Sequence, residues 1–540
     1  MSQTQISPRI RIEKIELHNI KGVKNGIVEF NCLKTPSEKD TCSDILGLYG
    51  QNGSGKTTLL EAMHIAKLAM MGRSIPFDKY GNIIAQGAGS ARVAISFQVS
   101  NPDGSLYHLE YAFSLGTWTI TSGNKTNSSN GDGMIKIAGS TITSSALPTF
   151  ALAAAFGIVT APLMPAVAAA GAAGIVASQI MKFSGSEKDV LAEKETKHLA
   201  VFDEVLSLSG MFNGSMIRQG PIFDTSSSET VFSPKAKQKA FFPNKTTAVL
   251  KDLEKCRKST LVTSRSFIFC DELSQLLLGQ GEITDYGQII LDIKAFAIQK
   301  IRIFESKTVS PIGNDVIPLY TADRVVGVER RDSTAILDDE GLNTLKTAIN
   351  GLNTVLQTII PGMSLEAVRQ IDVDINNRNV RAHSKGEKVT VYSVRDNVRI
   401  PLAEESSGII RLISSMGLFV NAFVNQDVTV AIDEIDAGVY EYLLGELLLI
   451  FEEYGSGQLI FTCHNLRPME VLNKKYIYFT TTNPESRYLK PKSVRNENNL
   501  RDVYLKEIVR GGQEEELYSA IKHGKIASAL QKAGEIIGQD

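Results

Sequence analysis

The stretch "DILGLYGQNGSGKTTLLEAMHIAKLAMM", Asp44 to Met71, constrains this chain more than any other. A short apolar run ends in glycine, a small-residue loop follows, and helical spacing begins at once. In "GQNGSGKT", the glycines Gly50, Gly53 and Gly55 let the backbone curl closely around a guest. The loop N–H groups and the helix N-terminus then face one point, which suits negative charge. The spacing matches G-x-x-x-x-G-K-[ST], the phosphate-loop pattern, and the strand-before, helix-after context agrees with it. Lys56 is expected to reach the β- and γ-phosphates and Thr57 to hold Mg²⁺. Gly50, Asn52, Gly53, Ser54, Gly55, Lys56, Thr57 and Thr58 are the expected nucleotide contacts. The plain alternative is a glycine-rich turn with a chance lysine, and spacing and context argue against it.

Three further pieces lie far downstream. "VTVAIDEID", Val428 to Asp436, is a buried-strand pattern with carboxylates at its end. Acids placed so need partners, because a buried unpaired charge is costly. Asp433 is read as the Mg²⁺ acid and Glu434 as the group that orients or deprotonates an attacking water. "GQLIFTCHN" is a second apolar strand ending at His464, which is read as a γ-phosphate contact rather than a structural histidine. "EESSGIIRLISSMG" places Ser406, Ser407 and Gly408 at the start of a helix, where small residues expose N–H groups to an anion. Alone it is only a capped helix; its position ahead of the acidic strand makes it specific.

The coarse pattern divides the chain as follows. Residues 1–120 carry an alternating hairpin ("RIRIEKIELHNI", "GIVEF"), the phosphate loop and a strand meander ("ARVAISFQVS", "GSLYHLEYAFSL", "TWTI"). Residues 121–186 hold a Ser/Asn/Gly linker and an apolar insertion, and residues 187–345 read as mainly helical. "GLNTLKTAINGLNTVLQTII" is an amphipathic helix, and residues 346–512 hold strands and the downstream motifs. A helical tail is expected at 513–540.

Composition supports a soluble globular chain, 43% hydrophobic and 21% charged, with a net charge of −2 that offers no global attraction to nucleic acid. The five cysteines are scattered without a CxxC pair, so neither a disulfide framework nor zinc is expected and a reducing cytoplasm fits. The polar N-terminus lacks a signal-peptide core. "DVD" at Asp372–Asp374 and the basic run "NNRNVRAHSKGEK" read as ordinary strand and turn.

Taken in order, the four motifs resemble the ABC-type ATPase heads of the RecF, SMC and OLD group. "GQNGSGKT" resembles Walker A, "ESSG" the signature, "VTVAIDE" Walker B and "TCHN" the H-loop. "LHNIKGVKNGIVEF" is similar to that group's first hairpin and "NNLRDVYLKEIVRGG" to the tail of its small prokaryotic members. The resemblance covers residues 9–115 and 400–512. It implies an α/β fold: a P-loop ATPase head with a mixed sheet and an antiparallel β subdomain, joined here to a helical middle and an Ala/Gly-rich insertion. It implies ATP and Mg²⁺ as ligands, hydrolysis as the reaction and Asp436 as a D-loop residue. Gln98 is a candidate for the Q-loop, with an ordinary strand residue the stronger reading. The signature departs from the common form, with Glu405 and Ile409 in place of its leucine and glutamine, as in the OLD-like branch.

The resemblance further implies a head-to-tail homodimer or higher homo-oligomer. In it, Ser406, Ser407 and Gly408 of one subunit reach the ATP of the other, and ATP shifts the population toward closed heads. About 70 residues after "TCHNLRPMEVL" are too few for the nuclease domain of OLD proteins. Stand-alone heads of this kind resemble sensor ATPases of bacterial antiphage systems such as Septu and PARIS, so a separate effector protein is the expected partner. A RecF-like DNA-binding repair ATPase is the alternative, which keeps nucleic acid open as a partner.

From Ile137 to Met181 no residue is charged. Residues 147–182 suggest two apolar helices, Thr149–Leu163 and Ala166–Lys182, broken by Pro162 and Pro165. Each falls short of the roughly 20 residues that span a bilayer. Small side chains favour helix–helix packing, so the first reading is a hairpin buried in protein or at an oligomer interface. A membrane-inserting hairpin, and with it a membrane-active effector ATPase, is the second; a disordered insertion is the third.

Overall fold

The computed structural model describes residues 8–30, 44–122, 194–226, 231–232, 237–243, 247–305, 316–321, 324–370, 387–491, 499–510, 515, 517 and 523–537. The apolar insertion expected at 147–182, Asp372–Asp374 and nearly all of the basic run lie outside them. The chain forms two compact units, each assembled from separated segments. The first comprises Met1–Cys32, Thr58–Ile303 and Gln426–Thr429; the second comprises Leu33–Thr57, Phe304–Asn425 and Val430–Asp540.

The first unit is built on a six-stranded antiparallel sheet in the order β2-β1-β4-β5-β6-β7. Its strands are β1 Arg9–Ile20, β2 Val23–Glu29, β4 Ala91–Ser100, β5 Leu106–Ser122, β6 Lys194–Phe212 and β7 Ser215–Asp224. In β1, Ile10, Ile12, Ile15, Leu17 and Ile20 are all buried. The alternation slips between Ile12 and Ile15 because the register against β4 shifts there. Such a bulge adds a residue and returns the apolar side chains to one face. "TWTI", expected as a separate strand, is the continuation of β5, which pairs with β6 through Thr119 and Ile120.

Helices Lys237–Phe241, Thr247–Val262, Asp271–Leu278 and Asp285–Gln299 follow. The expectation of a mainly helical region over 187–345 is therefore corrected. β6 and β7 precede these helices, and β8 Ile301–Phe304, β9 Val316–Tyr320, β10 Val325–Glu329 and β11 Thr334–Leu337 come after them. β6 reads as polar because Lys197, Asp203 and Glu204 interrupt its apolar residues; Lys197 is exposed, while Glu204 is buried among hydrogen-bond donors.

In the second unit β3, Asp44–Tyr49, pairs in parallel with β16 Gln458–Thr462 and β17 Ile477–Thr480. Within this unit the sheet runs β18-β17-β3-β16-β15, with β15 at Thr429–Ile432 and β18 at Tyr488–Leu489. All six residues of β3 are buried, as expected for a parallel strand covered on both faces. This pairing draws the phosphate loop up to Thr57 into the unit that holds residues 430–540, so the expected N-terminal lobe 1–120 is split between the two units.

A smaller sheet joins β11, β12 Met363–Arg369, β13 Glu387–Arg395 and β14 Val398–Pro401. The amphipathic helix occupies Asp339–Ile359, capped by Asp338, which accepts from Gly341 N at 2.8 Å. Asn353 fastens this helix to β12, exchanging two hydrogen bonds with the Leu365 backbone. Among the described residues, helix Ser407–Val424 alone is long and apolar enough to cross a membrane. Ile410, Leu412, Ile413 and Met416 are buried in the unit, which identifies it as a core helix. The tail helix spans His523–Ile537.

Candidate nucleotide site

Every motif residue from Gly50 to Thr57 and from Ser406 to His464, leaving aside Gln426–Thr429, belongs to the second unit. β3 ends at Tyr49 and helix Lys56–Met70 starts six residues after Gly50. The turn between them needs positive φ at Gly50, Gly53 and Gly55. A Cβ on Gly50 would sit 1.8 Å from Thr480 Oγ1, so only glycine lets the loop pass this close to β17. Ser54 Oγ donates to Gln51 O at 2.7 Å and contacts the Thr480 hydroxyl, and Tyr488 donates to Gly55 O at 2.8 Å. These contacts brace the loop from behind. Asn52 and Gly53 are exposed on it, and a Cβ on Gly53 would meet open space.

Lys56 is nearly buried and donates to Gly50 O at 2.6 Å and Gln51 O at 3.1 Å, arching across the loop. Burial lowers its pKa, opposed by the carboxylates of Asp433, Glu434 and Asp436. Thr58 is buried in the first turn of the helix, on the first unit's side of the division.

Asp433 closes the other side. It is 1% exposed, and both its oxygens lie 3.3 Å from Thr57 Oγ1, a residue 376 positions away. Thr462, the last residue of β16, donates to Asp433 Oδ1 at 2.6 Å and accepts from Glu434 N at 2.7 Å. One hydroxyl thus orients the first acid by its side chain and the second by its backbone. Glu434 has φ 49°, a conformation L-residues seldom take, and this turns the chain sharply after β15. A hydroxyl and a carboxylate are hard oxygen donors, the set that suits Mg²⁺. Thr57 and Asp433 therefore fit the ion expected of them.

Asp436 accepts from His464 N at 3.0 Å and Asn465 N at 2.9 Å through Oδ2. The two loops that follow β15 and β16 are fixed to each other by this carboxylate, and His464 is left exposed beside them. Ser406 caps helix Ser407–Val424, its Oγ accepting from Ile409 N at 3.3 Å. Ser406 and Ser407 are exposed. Gly408 packs on Gly438, which has φ 81°; a Cβ on Gly438 would fall 2.4 Å from Gly408 Cα. Gln98 lies in β4 opposite Arg11 and His108, in the first unit.

Sequence reading missed Arg411, Thr462, Thr480 and Tyr488. Arg411 donates to the backbone carbonyls of Asp433 and Glu434 and lies 5.3 Å over the Phe304 ring. Burial lowers its pKa, while Glu434, Asp433 and Asp436 support its charge. It ties the serine-bearing helix directly to the acidic strand. Its signal was a lone cation in an otherwise apolar helix. Thr462 stood inside "TCHN"; Thr480 and Tyr488 carried no sequence signal.

The AAA domain family matches residues 14–156, a range that contains Gly50–Thr57. No curated protein matches the chain. Among solved structures it is similar to the recombination mediator protein RecF with ATPrS, from the RecFOR pathway. That likeness has 11% identity and a TM-score of 0.31, over 90% of this chain and 100% of the other. It is similar to the Smc head domain of Pyrococcus furiosus bound to the C-terminal domain of ScpA, at 12% identity and a TM-score of 0.32, over 93% and 100%. It is similar also to the SMC head domain of Thermotoga maritima, at 12% identity and a TM-score of 0.30, over 89% and 99%. TM-scores this low carry no argument about function.

Proposed function

We propose that this chain is an ATP-binding and ATP-hydrolysing switch. The observation that carries the reading is Thr57 Oγ1 at 3.3 Å from both oxygens of buried Asp433. Folding brings together hydroxyl, carboxylate and loop lysine as a nucleotide with Mg²⁺ would need them. Lys56 would exchange its backbone partners for the β- and γ-phosphates. Thr57 and Asp433 would hold Mg²⁺, which would draw charge from the phosphate oxygens. Glu434 would orient the attacking water and take its proton, and exposed His464 would contact the γ-phosphate. Asp436 would keep His464 in place.

On this reading Ser406, Ser407 and Gly408 are free to bind the ATP of a second copy, in a head-to-tail dimer or larger homo-oligomer. The motif set favours a regulatory ATPase of the antiphage kind, controlling a separate effector. A reducing, cytoplasmic setting is our reading from the scattered cysteines without a CxxC pair.

The test measures nucleotide binding and phosphate release for wild type, Lys56→Ala and Glu434→Gln, with light scattering of Glu434→Gln in MgATP. Binding lost in the first variant, and a trapped ATP-bound dimer in the second, are expected. If both variants hydrolyse ATP like wild type, the site is misassigned. ATP-dependent, salt-sensitive capture of duplex DNA would move the reading to a RecF-like repair ATPase. ATP-dependent liposome flotation lost on deleting 147–182 would move it to a membrane effector.

A further inference from the structure

Two of the scattered cysteines meet in the fold of the first unit. Cys256, on helix Thr247–Val262, and Cys270, the cap of helix Asp271–Leu278, stand with their sulfurs 3.0 Å apart. They are 5% and 0% exposed. Cys270 Sγ also accepts from Leu273 N at 3.4 Å. The only other ligand-type group gathered here, among the described residues, is the Glu272 carboxylate. Both Glu272 oxygens accept from Arg265, at 2.8 and 3.3 Å.

The arrangement suits a disulfide better than a metal. A structural zinc site wants four ligands and sulfurs roughly 3.7 Å apart at Zn–S bonds near 2.3 Å. Here the sulfurs are closer than that and the third candidate ligand is committed to Arg265. A disulfide needs the sulfurs to approach by only about 1 Å more. The hydrogen bond with Cys256 and burial push the Cys270 thiol up, which leaves Cys270 as the resolving thiol rather than the first attacker.

We infer that Cys256 and Cys270 form a reversible redox-modification site, a dithiol that takes a peroxide as its two-electron oxidant. Cys256, the less buried sulfur, attacks one peroxide oxygen; the O–O bond breaks, giving the Cys256 sulfenic acid and one water. Cys270 Sγ then attacks the sulfenic sulfur. The S–O bond breaks, and the departing hydroxide leaves as a second water with the Cys270 proton. Two thiols are oxidised by two electrons and the peroxide is reduced. An external dithiol reverses the change by thiol–disulfide exchange.

The loop closed by this bond is built into the unit. Ser266 and Phe267 N hold buried Glu204, and Ile75 N donates to Ser264 O at 3.0 Å. Ser74 donates to Thr263 O at 2.8 Å, and Gly72 packs on the Phe269 carbonyl. Oxidation therefore fastens the segment that supports the chain just beyond helix Lys56–Met70.

The test treats the full chain with hydrogen peroxide, alkylates it under denaturing conditions and maps a non-reduced digest by mass. A Cys256–Cys270 linked peptide is expected, lost on dithiothreitol, with buried Cys463 still alkylated. The oxidised chain should melt a few degrees higher, since cross-linking restricts the unfolded chain. Cys256→Ser and Cys270→Ser should each abolish the link and the shift, and the wild-type map stands alone if either fails to fold. Both cysteines alkylated after peroxide, Cys256 carried to sulfinic acid without a link, or stoichiometric zinc lost in Cys270→Ser would each overturn the inference.

Discussion

Each unit buries a carboxylate at 1% exposure, Glu204 in the first and Asp433 in the second. Their surroundings differ in kind. Glu204 accepts from Tyr111 at 2.8 Å, from Phe267 N at 2.7 Å and from the Ser266 hydroxyl. It is a closed shell of internal donors, and burial still raises its pKa against those bonds. Asp433 has two hydroxyl neighbours, one at 2.6 Å and one straddling its oxygens at 3.3 Å, with Lys56 and Glu434 close by. The first acid is satisfied by the fold. The second is held by hydroxyls at the end of a strand, beside the loop lysine.

The largest effect that would break this contrast is on phosphate binding. Lys56→Ala should lower hydrolysis by at least about 100-fold, since Lys56 is the cation that arches over the loop; phosphate release and nucleotide titration read it. Glu434→Gln should cost roughly 100-fold in turnover with binding retained, as for loss of a general base. Equal losses of binding in both variants would remove the distinction between them.

Glu204→Ala should do the reverse. Tyr111, Ser266 and Phe267 N would lose their acceptor, at about 3 kcal/mol of stability, while the KM for ATP stays unchanged. Thermal melts and steady-state kinetics on one preparation separate the two outcomes. Gly438→Ala should cost about 1–3 kcal/mol through positive-φ strain and the clash with Gly408. Its melting shift should be smaller than that of Glu204→Ala.

The smallest effect concerns pH. A carboxyl whose folded pKa is raised binds more protons folded than unfolded. The stability it contributes is complete below its ordinary 4.5 and is lost as pH climbs toward the raised folded value. Glu204→Gln should flatten that decline, seen in denaturant midpoints across the acid range. A decline of unchanged slope in the variant would assign it to other groups.

Much of the candidate site was legible because local chemistry leaves local marks. Gly50, Gly53 and Gly55 announce a loop that needs positive φ, and Asp433 and Glu434 at the end of an apolar run announce acids that need partners. The same logic located Ser406 as a helix cap and Gln98 as a strand residue. The middle of the chain was misread because helical spacing at 237–299 dominated its neighbours, while β6 reads as polar.

What the sequence determined by itself was each motif and the element that carries it, since spacing and side-chain type act within a few residues. Only the tertiary structure decided that Thr57 meets Asp433, that Arg411 joins helix Ser407–Val424 to the acidic strand and that Cys256 touches Cys270. The first contact depends on parallel pairing of β3 with β16, and the last on packing between two successive helices. No short-range signal encodes either, because burial of apolar faces brings such residues together without requiring their polar groups to be near in sequence.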